Sequence, residues 1–339
     1  MTQPAETQPA ETPSATMECA VCSSVVFEDD RFCEGCGAPL TRPEAVGARA
    51  SLSPPEPLQR VELDLGTVAG VSDRGHRRQR NEDALAMEAS ENRAVAAVCD
   101  GVASTSDAHV AAGVAASVAT EVLAAALDAP EAIDADAWRG LFSRAFGEAQ
   151  RAITAAVGGD AADGGPSTTM VAAIVAGGRV GIANVGDSRA YWLPGSPSTG
   201  RALTVDDSWA QGLIADGMAP DDAFADPLAQ TITRWLGADV DADSVEPTMS
   251  FIEVGEPGLV VLCSDGLWNY FETPGQLVDL VHGSPEATPL AVARHLVNAA
   301  LEAGGHDNVT VAVLPVTPDD LTSSPGEARP PFDPEEGQP

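Results

Sequence analysis

Residues Ser72–Asp83, S-D-R-G-H-R-R-Q-R-N-E-D, run a cluster of arginines straight into two adjacent carboxylates. The pattern suits a place where a divalent cation and an anion meet. Glu82 and Asp83 can serve the cation, and the planar fork of Arg78 can grip the anion. A metal and a phosphate satisfy both halves.

One Glu-Asp pair cannot hold a two-metal cluster, because hard divalent cations take about six oxygen ligands each. The chain supplies more carboxylates beside apolar runs that read as strands. Cys99-Asp100-Gly101 follows Ala94 to Val98, and Gly186-Asp187-Ser188-Arg189 follows Val180 to Val185. Ser264-Asp265-Gly266 follows Leu259 to Cys263, and His306-Asp307-Asn308 precedes Val309 to Leu314. A single Asp beside a strand is ordinary turn chemistry. Four of them, with Glu82, Asp83 and Arg78, read as a site.

These motifs resemble the metal-dependent protein phosphatases of the PP2C (PPM) type. They are R-x-x-N-E-D (Arg78 to Asp83), D-G (Asp100, Gly101), A-N-V-G-D-S-R-A-Y (Ala183 to Tyr191), L-C-S-D-G-L-W (Leu262 to Trp268) and H-D-N-V-T-V (His306 to Val311), in the family's order across residues 62 to 316. The resemblance implies an α+β fold, a four-layer α-β-β-α sandwich of two antiparallel sheets with a dinuclear site at one end. It implies Mn²⁺ or Mg²⁺ as cofactor, two ions with a possible third. Asp100 then bridges the ions, Gly101 contributes its carbonyl, and Asp265 and Asp307 complete the other shell. Glu82 and Asp83 hold metal-bound waters or act just outside the ligands, and Asp187 joins Asp265 at the third ion. The implied activity is phosphoserine/phosphothreonine protein phosphatase, in which a metal-bridging water attacks phosphorus directly while Arg78 binds the phosphate.

One departure concerns His109. Many family members carry a glycine- and histidine-containing stretch directly after D-G, but here V-A-S-T-S-D-A-H displaces the histidine to a helix start. His109 can protonate the leaving alkoxide, or be a helix-surface residue. Two other readings stay open: a catalytically weak phosphoprotein-binding scaffold of the same fold, and a two-metal hydrolase acting on nucleotides or nucleic acid.

Composition weighs against the last. The 339 residues carry 51 acidic and 18 basic side chains, a formal net charge of -33, and every basic residue is Arg. Nucleic-acid backbones are bound through clustered Lys and Arg, and 4% aromatic content offers few stacking platforms. The 44% hydrophobic content can bury a large core. No basic n-region and apolar h-region opens the sequence, and the Ala-rich run Ala111 to Leu127 is broken by Ser117, Thr120 and Glu121. A cytoplasmic protein is expected, a monomer acting on phosphorylated proteins opposite a Ser/Thr protein kinase, with no nucleic-acid or membrane partner.

Residues 1–16 read as a disordered N-terminus and 17–40 as a zinc ribbon. Cys19-x-x-Cys22 and Cys33-x-x-Cys36 have the spacing of a structural Zn²⁺ site, which suits a reducing compartment better than paired disulfides. Residues 41–60, rich in Pro and Ala, read as a linker. The phosphatase domain spans 61–316, and 317–339 reads as a disordered acidic tail.

Within the domain, Val61 to Ser72 reads as one opening strand, followed by Asp83 to Met87 and Ala94 to Cys99. Asp107 to Leu127 and Ala137 to Val157 read as long helices, and Met170 to Ala176 with Arg179 to Val185 as a hairpin around Gly177-Gly178. Ser208 to Asp216 reads as a helix and Ala219 to Asp226 as an acidic loop, in a region that the resemblance makes a flap beside the site. Arg234 there touches substrate, packs against its neighbours or forms a structural ion pair. Pro289 to Ala303 is a helix capped by Thr288 and stopped by Gly304-Gly305. Cys99 and Cys263 read as buried core thiols, because neither is followed by a glycine-rich, Arg-containing phosphate cradle.

Overall fold

The computed structural model describes residues 16–18, 25–27, 48–52, 59–91, 93–102, 107–127, 135–157, 165–196 and 199–318. The chain divides into two compact units, Met1–Ala45 and Val46–Pro339. In the first, β1 (Thr16–Glu18) pairs antiparallel with β2 (Val25–Phe27). These strands flank Cys19 and Cys22 in sequence, but all four cysteines of the expected zinc ribbon lie outside the described residues, as do the expected N-terminal and C-terminal tails beyond 16 and 318.

The larger unit begins with β3 (Ala48–Leu52), β4 (Arg60–Asp64), β5 (Ala69–Asp73), β6 (Ala84–Ser90) and β7 (Arg93–Cys99), then α1 (Ala108–Leu123) and α2 (Ala135–Val157). Next come β8 (Ser167–Thr168), β9 (Met170–Ala176), β10 (Arg179–Val185), β11 (Arg189–Pro194) and β12 (Arg201–Ala202). The short helices α3 (Trp209–Ala215) and α4 (Pro220–Phe224) precede β13 (Leu236–Gly237). The last third holds β14 (Thr248–Glu253), β15 (Gly258–Cys263), α5 (Asp265–Trp268), α6 (Pro274–His282), α7 (Pro289–Ala303) and β16 (Val309–Val316).

Two antiparallel six-stranded sheets result, in the orders β14-β10-β9-β7-β6-β3 and β12-β11-β15-β16-β5-β4. Alternation along the strands builds the layers, since successive side chains point to opposite faces. In β7, Val95, Ala97 and Cys99 join the core under α1 and α2, whereas Ala94, Ala96 and Val98 pack between the sheets. In β16, Val309, Val311 and Val313 meet α6 and α7, while Ala312 and Leu314 face inward. Helices therefore cover both outer faces of a two-sheet core, the four-layer arrangement that the resemblance implies. Cys99 and Cys263 are buried free thiols.

Close packing depends on small residues. Ala111, Ala112, Ala115, Ala116 and Ala119 are wholly or almost wholly buried along α1, which lets the helix lie near the sheet. Ala108–Ala126 is long and apolar enough by composition to cross a membrane, but half of it is buried, against α2 and the first sheet. Ser117, Thr120 and Glu121, expected to break the run, do not take it below a spanning length, and its packing is that of a core helix.

Several local expectations hold. The β9–β10 turn has Gly177 and Gly178 at φ 56° and 78°, the doubly positive geometry that matches strand twist. The Thr288 hydroxyl accepts from Ala291 N at the start of α7, and Gly304 and Gly305 end it at φ 147° and 54°.

Three change. Val61 to Ser72 is a hairpin, β4 and β5, rather than one strand, because Gly66 turns the chain at φ 79° and its amide donates to Asp64 Oδ1 at 2.9 Å. Five residues of the expected linker form β3, paired from Ala48↔Ala89 to Leu52↔Leu85. The alternation of Ala48, Ala50 and Leu52 with Arg49 and Ser51 is a strand signal that the Pro-rich composition masked. Finally, Pro220 opens α4 inside the expected loop. Proline suits a first helical position, where no amide is needed, and Asp221 and Asp222 complement the helix dipole.

Candidate active site

The acidic residues collect at one end of the sandwich because of strand direction. β7 and β10 both run antiparallel to β9, so Asp100 and Asp187 leave the first sheet at the same end. In the second sheet β15 ends opposite the start of β16, with Cys263 paired to Val311, which brings Asp265 toward Asp307. Arg78, Glu82, Asp100, Gly101, Asp187, Asp265 and Asp307 all line one cavity of about 150 Å³. Asp83 lies beneath it, 5% exposed, accepting a 2.8 Å hydrogen bond from Ser264 Oγ. Arg78 is ion-paired with Asp307.

Burial dominates the electrostatics. It pushes Asp100 well above the usual carboxylate range, reinforced by the charges of Asp83 and Asp265. Burial and the charge of Asp307 raise Asp265 to about 6, and burial and the charge of Asp265 raise Asp187 to about 7. Burial lifts Asp83 to about 7, although the Thr310 and Ser264 hydroxyls oppose it. The same interactions hold Arg78 charged, since Asp307 raises its pKa.

Oδ1 of Asp83 and Oδ1 of Asp265 are buried without a hydrogen-bond partner. Buried, crowded carboxylates of this kind are costly unless a cation neutralises them. Oxygen-only donors suit Mg²⁺ or Mn²⁺ rather than Zn²⁺. Among the described residues no three His, Cys, Asp or Glu side chains stand as close as the ligands of one ion do. Closure on an ion therefore needs side-chain rotation, with Asp307 turning off Arg78. The donor set fits the metal.

Several residues that the motifs left without a role shape this site. Asn308 Oδ1 accepts from Glu82 N at 2.8 Å, while its Nδ2 donates to the carbonyls of Arg74 and Arg80 at 2.8 and 3.0 Å. One side chain thus folds the arginine loop onto the start of β16. Thr169 Oγ1 accepts from Asp100 N at 3.3 Å and bonds Ser188 Oγ at 2.7 Å. Ser167 and Thr168 form β8, and Thr168 Oγ1 donates to the Asp100 carbonyl at 2.8 Å.

Gly75 tests this loop geometry. It sits at φ 75°, and an added Cβ would lie 2.0 Å from the Asp307 carbonyl oxygen. Gly75→Ala is expected to cost about 2–4 kcal/mol, combining positive-φ strain with the clash, and to lower activity by moving Asp307. Urea denaturation and hydrolysis assays on the same preparation check both.

Between β12 and β13 the chain forms a flap with a clamped base. Arg189 pairs with Asp206 through two nitrogens, at 2.9 and 2.6 Å, and its guanidinium lies 3.7 Å over the Trp268 ring. Arg234 Nη1 pairs with Asp207 at 3.0 Å, so the expected ion pair forms. Asp207 also accepts from Gly186 N at 2.9 Å, beside Asp187. Ser208 bridges to Ile232, which lines the cavity. Arg189→Met would leave the Asp206 carboxylate, 9% exposed, without its partner. The expected loss is about 3–5 kcal/mol, read by denaturant midpoint, with a raised KM from the loosened flap.

A sequence profile described as Protein phosphatase 2C matches residues 72–299. The chain belongs to the protein phosphatase 2C family. Serine/threonine protein phosphatase PstP of Mycobacterium tuberculosis is 34% identical over 260 residues, 76% of this chain and 46% of that protein. The chain thus spans about half the length of that curated relative. Serine/threonine phosphatase stp of Listeria welshimeri is 30% identical over 249 residues, 72% of this chain and 93% of that protein. The solved catalytic domain of PstP in complex with two manganese ions superposes with TM-score 0.57 at 29% identity, covering 76% of this chain and 99% of that one.

Against this PP2C framework His109 stands apart. It does not line the cavity; its ring nitrogens lie 3.0 and 3.3 Å from Arg80 Nη1. Partial burial and the Arg80 charge lower its pKa, which favours the neutral ring. The Glu82 carboxylate, which does line the cavity, acts on it in the opposite direction. Arg80 itself is held by its backbone carbonyl on Asn308.

Proposed function

We propose that this chain is a metal-dependent phosphoserine/phosphothreonine protein phosphatase using Mn²⁺ or Mg²⁺. The observation that carries the reading is the cavity in which Asp100, Asp187, Asp265 and Asp307 meet Arg78. Its support among relatives is consistent, since the mycobacterial and listerial proteins are both named serine/threonine phosphatases.

Asp100, Asp265 and Asp307 would hold the metal pair, with the Gly101 carbonyl as a further donor, and Asp187 would serve a third ion. Bound divalent ions supply Lewis acidity and an acidified water for attack on phosphorus. The chain's own part begins with Arg78. Released from Asp307, its guanidinium can bind two phosphate oxygens and stabilise the charge that develops on them. Glu82, fixed by Asn308 through its backbone amide, can accept a hydrogen bond from a water at the cavity wall. Asp83, anchored by Ser264, holds the floor in place. Thr169 fixes the backbone of Asp100, so the acidic cluster stays aligned when the carboxylates rotate.

We also propose that Cys19, Cys22, Cys33 and Cys36 bind one structural Zn²⁺, which the β1–β2 pairing around Cys19 and Cys22 favours, and that this module localises the enzyme or selects a partner. A monomer opposing a Ser/Thr kinase fits the acidic, self-repelling surface. Incubation with a phosphothreonine peptide, a nucleoside triphosphate and single-stranded RNA separates the readings. Mn²⁺-dependent release of phosphate from the peptide alone supports the phosphatase. Phosphopeptide binding without release would favour the scaffold, and turnover of RNA or nucleotide the nucleic-acid hydrolase.

A further inference from the structure

Among the described residues of α2, Gln150 is the one polar side chain that is wholly buried. It follows Phe142 and Phe146 at helical spacing, on the stripe by which α2 packs into the core. That spacing calls for an apolar residue. A buried carboxamide is costly unless it is hydrogen-bonded, and the three shortest bonds of Gln150 all go to the backbone of one short stretch. Its Oε1 accepts from Gly237 N at 2.9 Å, and its Nε2 donates to the carbonyls of Gly237 and Val240 at 2.6 and 2.8 Å. The side chain thus pairs with Gly237 as a neighbouring strand would.

What it holds leads to the expected metal donors. Leu236 and Gly237 form β13, which pairs on its other edge with Thr168 and Ser167 of β8. β8 lies in turn against Asp100, Gly101 and Val102. Val102 N donates to the Ser167 carbonyl at 2.9 Å, Thr169 N donates to the Asp100 carbonyl at 2.8 Å, and Thr168 forms a bridge with Gly101. Three short segments therefore make one ribbon, with Gly101 on one side and Gln150 on the other. The ribbon is tight at both ends. A Cβ added at Gly237 would lie 2.8 Å from Ser167 Cβ, and one added at Gly101 would lie 2.7 Å from the Glu82 carbonyl oxygen. Close-packed elements transmit a displacement rather than absorb it.

We propose that Gln150 is a positioning residue for metal binding, setting the Asp100 backbone and the Gly101 carbonyl through β13 and β8. The proposal rests on the phosphatase reading, in which Asp100 and Gly101 serve the metal pair, and it adds a residue that does not line the cavity. Groups that orient metal ligands act on affinity, and their removal commonly weakens metal binding by about 10–100-fold. The effect therefore falls on Mn²⁺ binding rather than on turnover once the ions are bound.

The test is calorimetric titration of Mn²⁺ into the full chain, with melting temperatures in chelator and phosphate release from a phosphothreonine peptide across the same Mn²⁺ range. Wild type is compared with Gln150→Met, Gly237→Ala and Phe142→Leu. Methionine keeps the side-chain length but leaves the Gly237 and Val240 backbone groups unpaired. Gly237→Ala presses on Ser167 from within the ribbon. Phe142→Leu loosens α2 about two turns away, where Phe142 packs on Phe251 and Gly181. All three variants are expected to melt below the wild type in chelator. The Kd for Mn²⁺ rises about tenfold in Gln150→Met and Gly237→Ala but stays within about threefold in Phe142→Leu, and kcat at saturating Mn²⁺ stays within about threefold throughout. Wild-type Mn²⁺ affinity in folded Gln150→Met, or an equal loss in Phe142→Leu, makes Gln150 a packing residue and overturns the proposal while leaving the phosphatase intact. If Gln150→Met does not fold, Gly237→Ala decides on the same criterion. Wild type that binds Mn²⁺ but releases no phosphate overturns the phosphatase reading alone, and the calorimetric comparison still decides the role of Gln150.

Discussion

Asp265→Asn is expected to lower Mn²⁺-dependent phosphopeptide hydrolysis by about 10³-fold or more while raising the melting temperature of the metal-free protein. The two effects share a cause. Removing a charge-neutralising ligand removes transition-state stabilisation, an effect commonly worth about 10²–10³ in rate for a single donor and larger where metal binding itself fails. The same carboxylate is buried with one oxygen unpartnered and is crowded by Asp307, and its charge raises the pKa of Asp100. Asparagine removes that repulsion and carries an amide able to donate to Asp100. Thermal melts in chelator and initial rates in Mn²⁺, on one preparation, check both signs. A variant that loses activity because it unfolds would show the opposite shift in melting temperature.

The second large effect is linkage between metal, proton and stability. Asp83, Asp187 and Asp265 have folded-state pKa values of about 7, 7 and 6, above the usual value of about 3.9. A raised folded pKa means that the protonated form favours folding. That contribution is full below about pH 4 and is lost as pH rises through 6 to 7. The metal-free protein is therefore expected to melt at a higher temperature at pH 5 than at pH 8. Mn²⁺ reverses the trend, because its ligands must be deprotonated. At a thousandfold excess over Kd it adds about 4 kcal/mol, roughly a 10 °C rise for a domain of this size. The gain should be greatest at pH 8 and small at pH 5, as a grid of melts over pH and Mn²⁺ would show.

The acidic strand ends were legible in the sequence because each couples a local signal, an apolar run, to an Asp at its boundary. The long helices and the Gly177-Gly178 turn are likewise local, set by spacing and by positive φ. What escaped was non-local or disguised. Asn308 binds Glu82, Arg74 and Arg80 across more than 220 residues of sequence, and no neighbouring residue announces such a contact. Thr169 and Ser264 look like ordinary small polar residues until folding places Asp100 and Asp83 against them. The β3 strand lay hidden in a stretch whose prolines dominated its composition, and α4 in one whose aspartates did. The ion-pair partner of Arg234 had no local signal either, because folding alone brings Asp207 to it across 27 residues.

On the reading proposed above, these aspartates assemble a two-metal phosphatase centre. The most direct measurement is calorimetric titration of Mn²⁺ into the intact chain, with phosphate release from a phosphothreonine peptide followed at each titration point. Saturation is expected at two or more Mn²⁺ ions per phosphatase domain, with hydrolysis rising as those ions bind and vanishing on chelation. Saturation of the acidic cavity with no release of phosphate at any point would contradict it.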